Sequence, residues 1–96
     1  MPGHFLVITT RGPAWDHSRG RRSQDGWQEH AAFMDGLVAS GFVVLGGPLA
    51  DEVRVFHAIE AESVEAVRET LAADPWSGSH LVVDSIDPWT IRLGDR

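Results

Sequence analysis

The sequence has no cysteine, which removes disulfides, thiolate metal sites, iron–sulfur clusters and thiol nucleophiles from consideration. It has no lysine either. All eight of its cationic side chains are arginine, so a Schiff base through a lysine amine is excluded. Positive charge is scarce overall: fourteen acids against eight bases leave a net charge of -6, the wrong sign for a chain that reads nucleic acid through its phosphates. Long apolar runs are also missing. Met1-Pro2-Gly3-His4-Phe5 passes straight into a strand-like run with no basic segment ahead of it. Neither a signal peptide nor a membrane span is expected, and the cytoplasm is the default location.

What remains is an ordinary globular composition, 43% hydrophobic and 23% charged over 96 residues. That is one domain spanning 1–96. A domain of this size buries only roughly 60–70% of the surface its unfolded chain exposes, so pairing with a second copy is expected to add core.

Hydrophobic periodicity and turn residues divide the chain. His4 to Thr10 is a β-branched and aromatic run closed by Gly12-Pro13, which reads as a buried strand. A polar loop follows over 11–24. Asp25 and Gln28 form a capping pair for a first helix, in which Trp27, Ala31, Met34, Leu37 and Val38 recur at helical spacing up to Ser40-Gly41. Phe42 to Leu45 is a second strand, stopped by Gly46-Gly47-Pro48. Val53 to Glu60 is a third, with Val53, Val55, His57 and Ile59 on one face. Ser63 caps a second helix whose Val64, Val67 and Leu71 face inward, and Asp74-Pro75 ends it. A fourth strand runs from His80 towards Ile86 and breaks at Asp87-Pro88. Trp89, Ile91 and Leu93 then alternate in a short final strand. This order predicts an α+β fold, a ferredoxin-like β-α-β-β-α-β sandwich with an extra C-terminal strand. Two helices cover one face of such a sheet. The other face, with the alternation of Val53, Val55 and Ile59, is the expected homodimer surface.

Several of these features together resemble the YCII-related family of small dimeric α/β-barrel proteins over nearly the whole chain. They are the first strand ending in Arg11, the Glu29-His30 pair followed by Phe33 and Leu37, Gly41 with Gly46-Gly47-Pro48, Asp74-Pro75, and Pro88-Trp89. The resemblance implies a homodimer with a cleft in each subunit, and a proposed catalytic pair that carries over to His30 and Asp74. The family's chemistry is mostly unassigned, so the fold does not fix the reaction. The loop from Arg11 to Gln24 is longer and richer in arginine than in the family's compact members.

The expected strand directions bring His30, Gly47, Pro48, Asp74 and His80 to one end of the sandwich. His30 lies on the inner stripe of the first helix, where it can act as a general acid or base with a carboxylate fixing its tautomer. It can equally be a buried histidine bonded to a backbone carbonyl, and Asp74 a helix-end residue bonded to local N–H groups. No two histidines stand at i, i+4 or in an HxH element, so no metal site is expected; His17, His30 and His80 meeting across loops is the one alternative. Gly46-Gly47-Pro48 lacks the spacing of a nucleotide fingerprint, and no cofactor is implied.

The loop carries Arg11, Arg19, Arg21 and Arg22 against one acid, Asp16. Such a reversal of charge suits an anionic ligand held by guanidinium forks, or a solvated loop. Trp15 has no element to pack on, which fits a mobile lid over the cleft or a cover for the dimer seam. Arg11, Trp15, Gly47, Pro48 and His80 are therefore the candidate substrate-binding residues. Two functions follow. One is a cofactor-free enzyme with His30 as proton shuttle and Asp74 as its orienter, acting by elimination, isomerisation or hydrolysis on a small anionic or phenolic molecule. The other is a non-catalytic binding or regulatory module using the same pocket.

Overall fold

A computed structural model describes residues 2–94. Its elements are β1 (Gly3–Arg11), a 3-10 turn (Arg21–Ser23), α1 (Trp27–Ala39), β2 (Val43–Pro48), β3 (Val55–Ala61), α2 (Val64–Ala72) and β4 (Leu81–Trp89). The four strands make one sheet in the order β2-β3-β1-β4, with every neighbouring pair antiparallel. The fold is α+β. Among the described residues no helix is long and apolar enough to cross a membrane.

One face of the sheet carries the core. Phe5 and Val7 of β1, Val43 of β2, and Ile59 and Ala61 of β3 pack with Val67 and Leu71 of α2. Strand alternation then turns Leu6, Ile8, Phe56 and Ala58 to the opposite face. This corrects the expectation for β3. Val53 lies ahead of the strand, and Val55 and Ile59 belong to the row beneath the helices. The face that the helices do not cover is built instead from the partly buried Leu6, Ile8 and Phe56, the buried Ala58, and Leu45, which is 67% exposed.

The fourth strand does not break at Asp87-Pro88. It continues to Trp89, with Pro88 opposite Phe5. β4 is an edge strand, so a proline whose missing N–H faces outward costs the ladder nothing. No fifth strand follows among the described residues; Ile91 and Leu93 instead line a groove beside Leu45, Ala58 and Trp89.

Helix starts separate into one expected and one unexpected. The Ser63 side chain accepts from Ala66 N–H at 3.0 Å, the predicted cap of α2. α1 has no side-chain cap. Gly26 precedes it at φ 79°, in the left-handed region that favours glycine, and a Cβ there would sit 3.1 Å from Trp76 Nε1. Asp25 contributes its carbonyl rather than its carboxylate, accepting from Trp76 Nε1–H at 2.8 Å.

The polar loop is anchored as well. Trp15 is buried against Trp76 and Leu81 in a second, smaller core, its ring edge-on to Trp76 at 5.8 Å. Gln24 threads the loop together by accepting from Asp16 N–H and donating to the Asp16 and Arg19 carbonyls. Bonds from Ser18, hydroxyl and backbone, hold the Asp16 carboxyl down at about 2. Gly12 and Ala14 donate to the carbonyls of His80 and Ser79, and a side chain at Gly12 would collide with the Ser79 carbonyl. Trp15 is thus a core residue joining this loop to the start of β4.

Candidate functional site

In α1 the only buried residue is a histidine. His30 stands where the apolar stripe of the helix meets the sheet, beside the partly buried Met34 and Leu37. Its Nδ1 lies 2.9 and 2.8 Å from the two Asp74 oxygens. A carboxylate only accepts, so Nδ1 carries the proton and Nε2 is left for other partners. The side chains are 10% and 9% exposed, which shields the pair from competing water.

Asp74 is held by its own loop. Just beyond α2, its Oδ1 also accepts from Trp76 N–H at 2.9 Å. The carboxylate thus bonds the local backbone and His30 at once. The Trp76 indole lies under the imidazole, ring centroids 4.2 Å apart and planes 9° from parallel. Its bond to the Asp25 carbonyl locks it to the entrance of α1.

Two cavities meet at His30. An inner one of about 40 Å³ is lined by Thr9, His30, His57, Leu71, Asp74 and Leu81, room for a water or two. An outer one of about 270 Å³ is bordered by Arg21, Trp27, His30, Gly47, Pro48 and His57, the size of a small organic molecule. His57 is a second imidazole common to both. Its Nδ1 lies 3.3 Å from the Val7 carbonyl, so that nitrogen is the donor. Burial pushes its pKa below the ordinary 6.5, with the Val7 carbonyl bond opposing. His57 is thus neutral at neutral pH.

Of the residues expected in the site, His30, Asp74, Gly47 and Pro48 surround these cavities. His80 and Trp15 are not among the lining residues. His80 stacks on Trp76 at 5.0 Å, and Trp15 supports Arg11 and Arg21, whose guanidinium carbons lie 4.9 and 5.1 Å from its ring centre. Arg11 reaches the Glu52 carbonyl instead of the cleft. Among the described residues no three His, Asp or Glu side chains are grouped as a metal ion requires, and His17 is on the surface.

Sequence reasoning missed His57, Thr9 and Trp76. The first two had a signal. Each is the polar member of an inward row, Thr9 after Phe5 and Val7, His57 between Val55 and Ile59. A polar residue in a buried row needs a reason. Trp76 follows Asp74-Pro75 in a loop, where no periodicity marks an aromatic as buried.

No protein-family model matches the chain, and neither a curated protein nor a solved structure gives a match. These comparisons give no support to the resemblance to the YCII-related family.

Proposed function

We propose that the protein is a cofactor-free acid–base enzyme of the YCII-related type, acting by elimination, isomerisation or hydrolysis on a small molecule in the outer cavity. The observation that carries this reading is the buried Nδ1–H···carboxylate bond between His30 and Asp74 at the junction of two cavities. With Nδ1–H committed to Asp74, Nε2 takes a proton from an acidic C–H or O–H of the substrate. The carboxylate stabilises the imidazolium so formed, and the proton returns to the leaving group or to the neighbouring carbon. His57 supports the reading by offering a neutral imidazole at the same junction, so a second proton acceptor is at hand without a second positive charge.

The strand order β2-β3-β1-β4 with two helices on one face supports a ferredoxin-like arrangement. The apolar residues on the bare face support a homodimer joined through it, as in a dimeric α/β barrel.

The test is turnover by the wild type across a panel of small organic acids and phenols, followed by nuclear magnetic resonance, with His30→Gln as the comparison. Turnover that disappears in the variant supports the reading. Ligands that bind at the cleft and emerge unchanged, with equal affinity for wild type and variant, would make the protein a binding module instead.

A further inference from the structure

Arg11 and Arg21 are ten positions apart, one closing β1 and the other opening the 3-10 turn, yet their guanidiniums share the same two partners. Both lie over the Trp15 ring. Both donate from Nη2 to the Glu52 carbonyl, at 3.1 and 3.2 Å. Glu52 holds that carbonyl in place at φ 62°, a conformation non-glycine residues rarely adopt. Each guanidinium has five N–H donors and spends one of them on this oxygen.

These two arginines also differ from their neighbours in charge pairing. Arg19 is bonded to Asp16 and Asp25, and Arg54 to Asp51. Among the described residues no carboxylate oxygen lies within 4.0 Å of Arg11 or Arg21; Glu52 acts on Arg21 only from farther away. Burial, with the like charge of Arg11 nearby, pushes the Arg21 pKa below its ordinary value. Buried side-chain polar atoms without a partner, among the described residues, are Arg11 Nε, Arg21 Nε and Thr9 Oγ1. All three can donate. Thr9 stands two residues before Arg11 on the same face of β1 and lines the inner cavity with His30, while Arg21 lines the outer one.

We propose that Arg21, backed by Arg11, is an oxyanion seat at the rim of the outer cavity, so that the molecule presented to His30 is a small organic acid with a carboxylate or phosphate head. Two half-buried cations with no carboxylate partner lack the charge that such groups ordinarily need. An oxyanion supplies it and accepts from the guanidinium forks. The outer cavity is also lined by Asp35, so the seat is its Arg21 side, where the paired guanidiniums offer local positive charge in a chain of net charge -6 that otherwise repels anions. The proposal rests on the acid–base reading of the cleft for what the anion does there, but not for whether an anion binds.

The experiment titrates the full chain with benzoate, phenyl phosphate and the neutral isostere benzamide, watching the arginine Nε–H resonances and the heat of binding. Both anions are expected to shift the Arg11 and Arg21 Nε–H signals, to bind at least tenfold tighter than benzamide, and to weaken as salt is raised. The tighter of the two anions identifies the head group, and either supports the seat. Arg21→Gln should lose at least tenfold in anion affinity, whereas His30→Gln should keep it within about threefold. Anion binding without turnover of any acid would retain the seat and remove the acid–base reading. Equal affinity for benzoate and benzamide, with unmoved Nε–H signals, overturns the seat. That comparison uses the wild type alone, so a folding defect in a variant cannot protect the proposal.

Discussion

The imidazole of His30 lies flat on the indole of Trp76, 4.2 Å between ring centres and 9° from parallel. The stack fixes the ring plane, and the edge it leaves free meets both oxygens of Asp74. Trp76 is itself 1% exposed and bonded to the Asp25 carbonyl. The orientation of His30 is therefore set by a residue forty-six positions away, through contacts that cost the imidazole none of its proton-carrying nitrogens.

The first prediction follows from that geometry. Asp74→Asn and His30→Gln should each lower turnover by about 10²- to 10⁴-fold, the range for loss of a general acid–base group. The double variant should be little worse than either single one, because the two act as a unit. Circular dichroism should show all three folded. Unchanged turnover with lowered melting temperatures would make the pair structural.

The second concerns pH. His57 is held neutral in the folded protein, below its ordinary value of 6.5, chiefly by burial. Between that depressed value and 6.5 the unfolded chain binds a proton that the native state does not, so stability rises with pH there. Urea denaturation should therefore show stability declining as pH falls from about 6.5. The decline should be shallower in His57→Gln over the same interval. An identical pH slope in the two proteins would rule out His57 as its source.

Gly26 gives a third prediction. Ala at this position meets two obstacles, the φ of 79° and the Trp76 Nε1 3.1 Å from the new methyl. Gly26→Ala should cost about 1–3 kcal/mol, measured by urea denaturation with tryptophan fluorescence. Gly20→Ala, where a Cβ meets nothing within 4 Å, should change stability by less than about 1 kcal/mol. Equal effects at the two sites would contradict this account of how α1 begins.

The fourth tests the proposed homodimer. Leu45, 67% exposed on the uncovered face, makes little core contact within one subunit, so Leu45→Glu should leave the monomer folded. Sedimentation should move from dimer in the wild type to monomer in the variant. A wild type that sediments as a monomer at micromolar concentration would refute the pairing.

The elements themselves were legible because their signals are local. The β-branched and aromatic run of β1, helical spacing in α2, the Ser63 cap and the Asp74-Pro75 stop depend on residues a few positions apart, and each stands in the structure where its pattern put it. His30 and Asp74 were legible too, since each lies at a helix end or on an inner stripe that the topology carries to one place.

What the sequence could not carry is whatever depends on which strands become neighbours. Whether Pro88 ends a strand or sits within one depends on β4 being at the sheet edge, a property of the order β2-β3-β1-β4 and not of Asp87-Pro88. The face that Val55 and Ile59 occupy depends on where the helices pack. Trp15, Trp76 and the pair Arg11 and Arg21 meet only because the loop after β1 is bonded to the segment before β4. The sequence by itself determined four strands and two helices in their order, and it set His30 on an inner helical stripe and Asp74 at a helix end. Tertiary structure alone decided the sheet edges, the left-handed start of α1 and the meeting of the arginines, because each arises from packing between residues whose separation along the chain leaves no periodic trace.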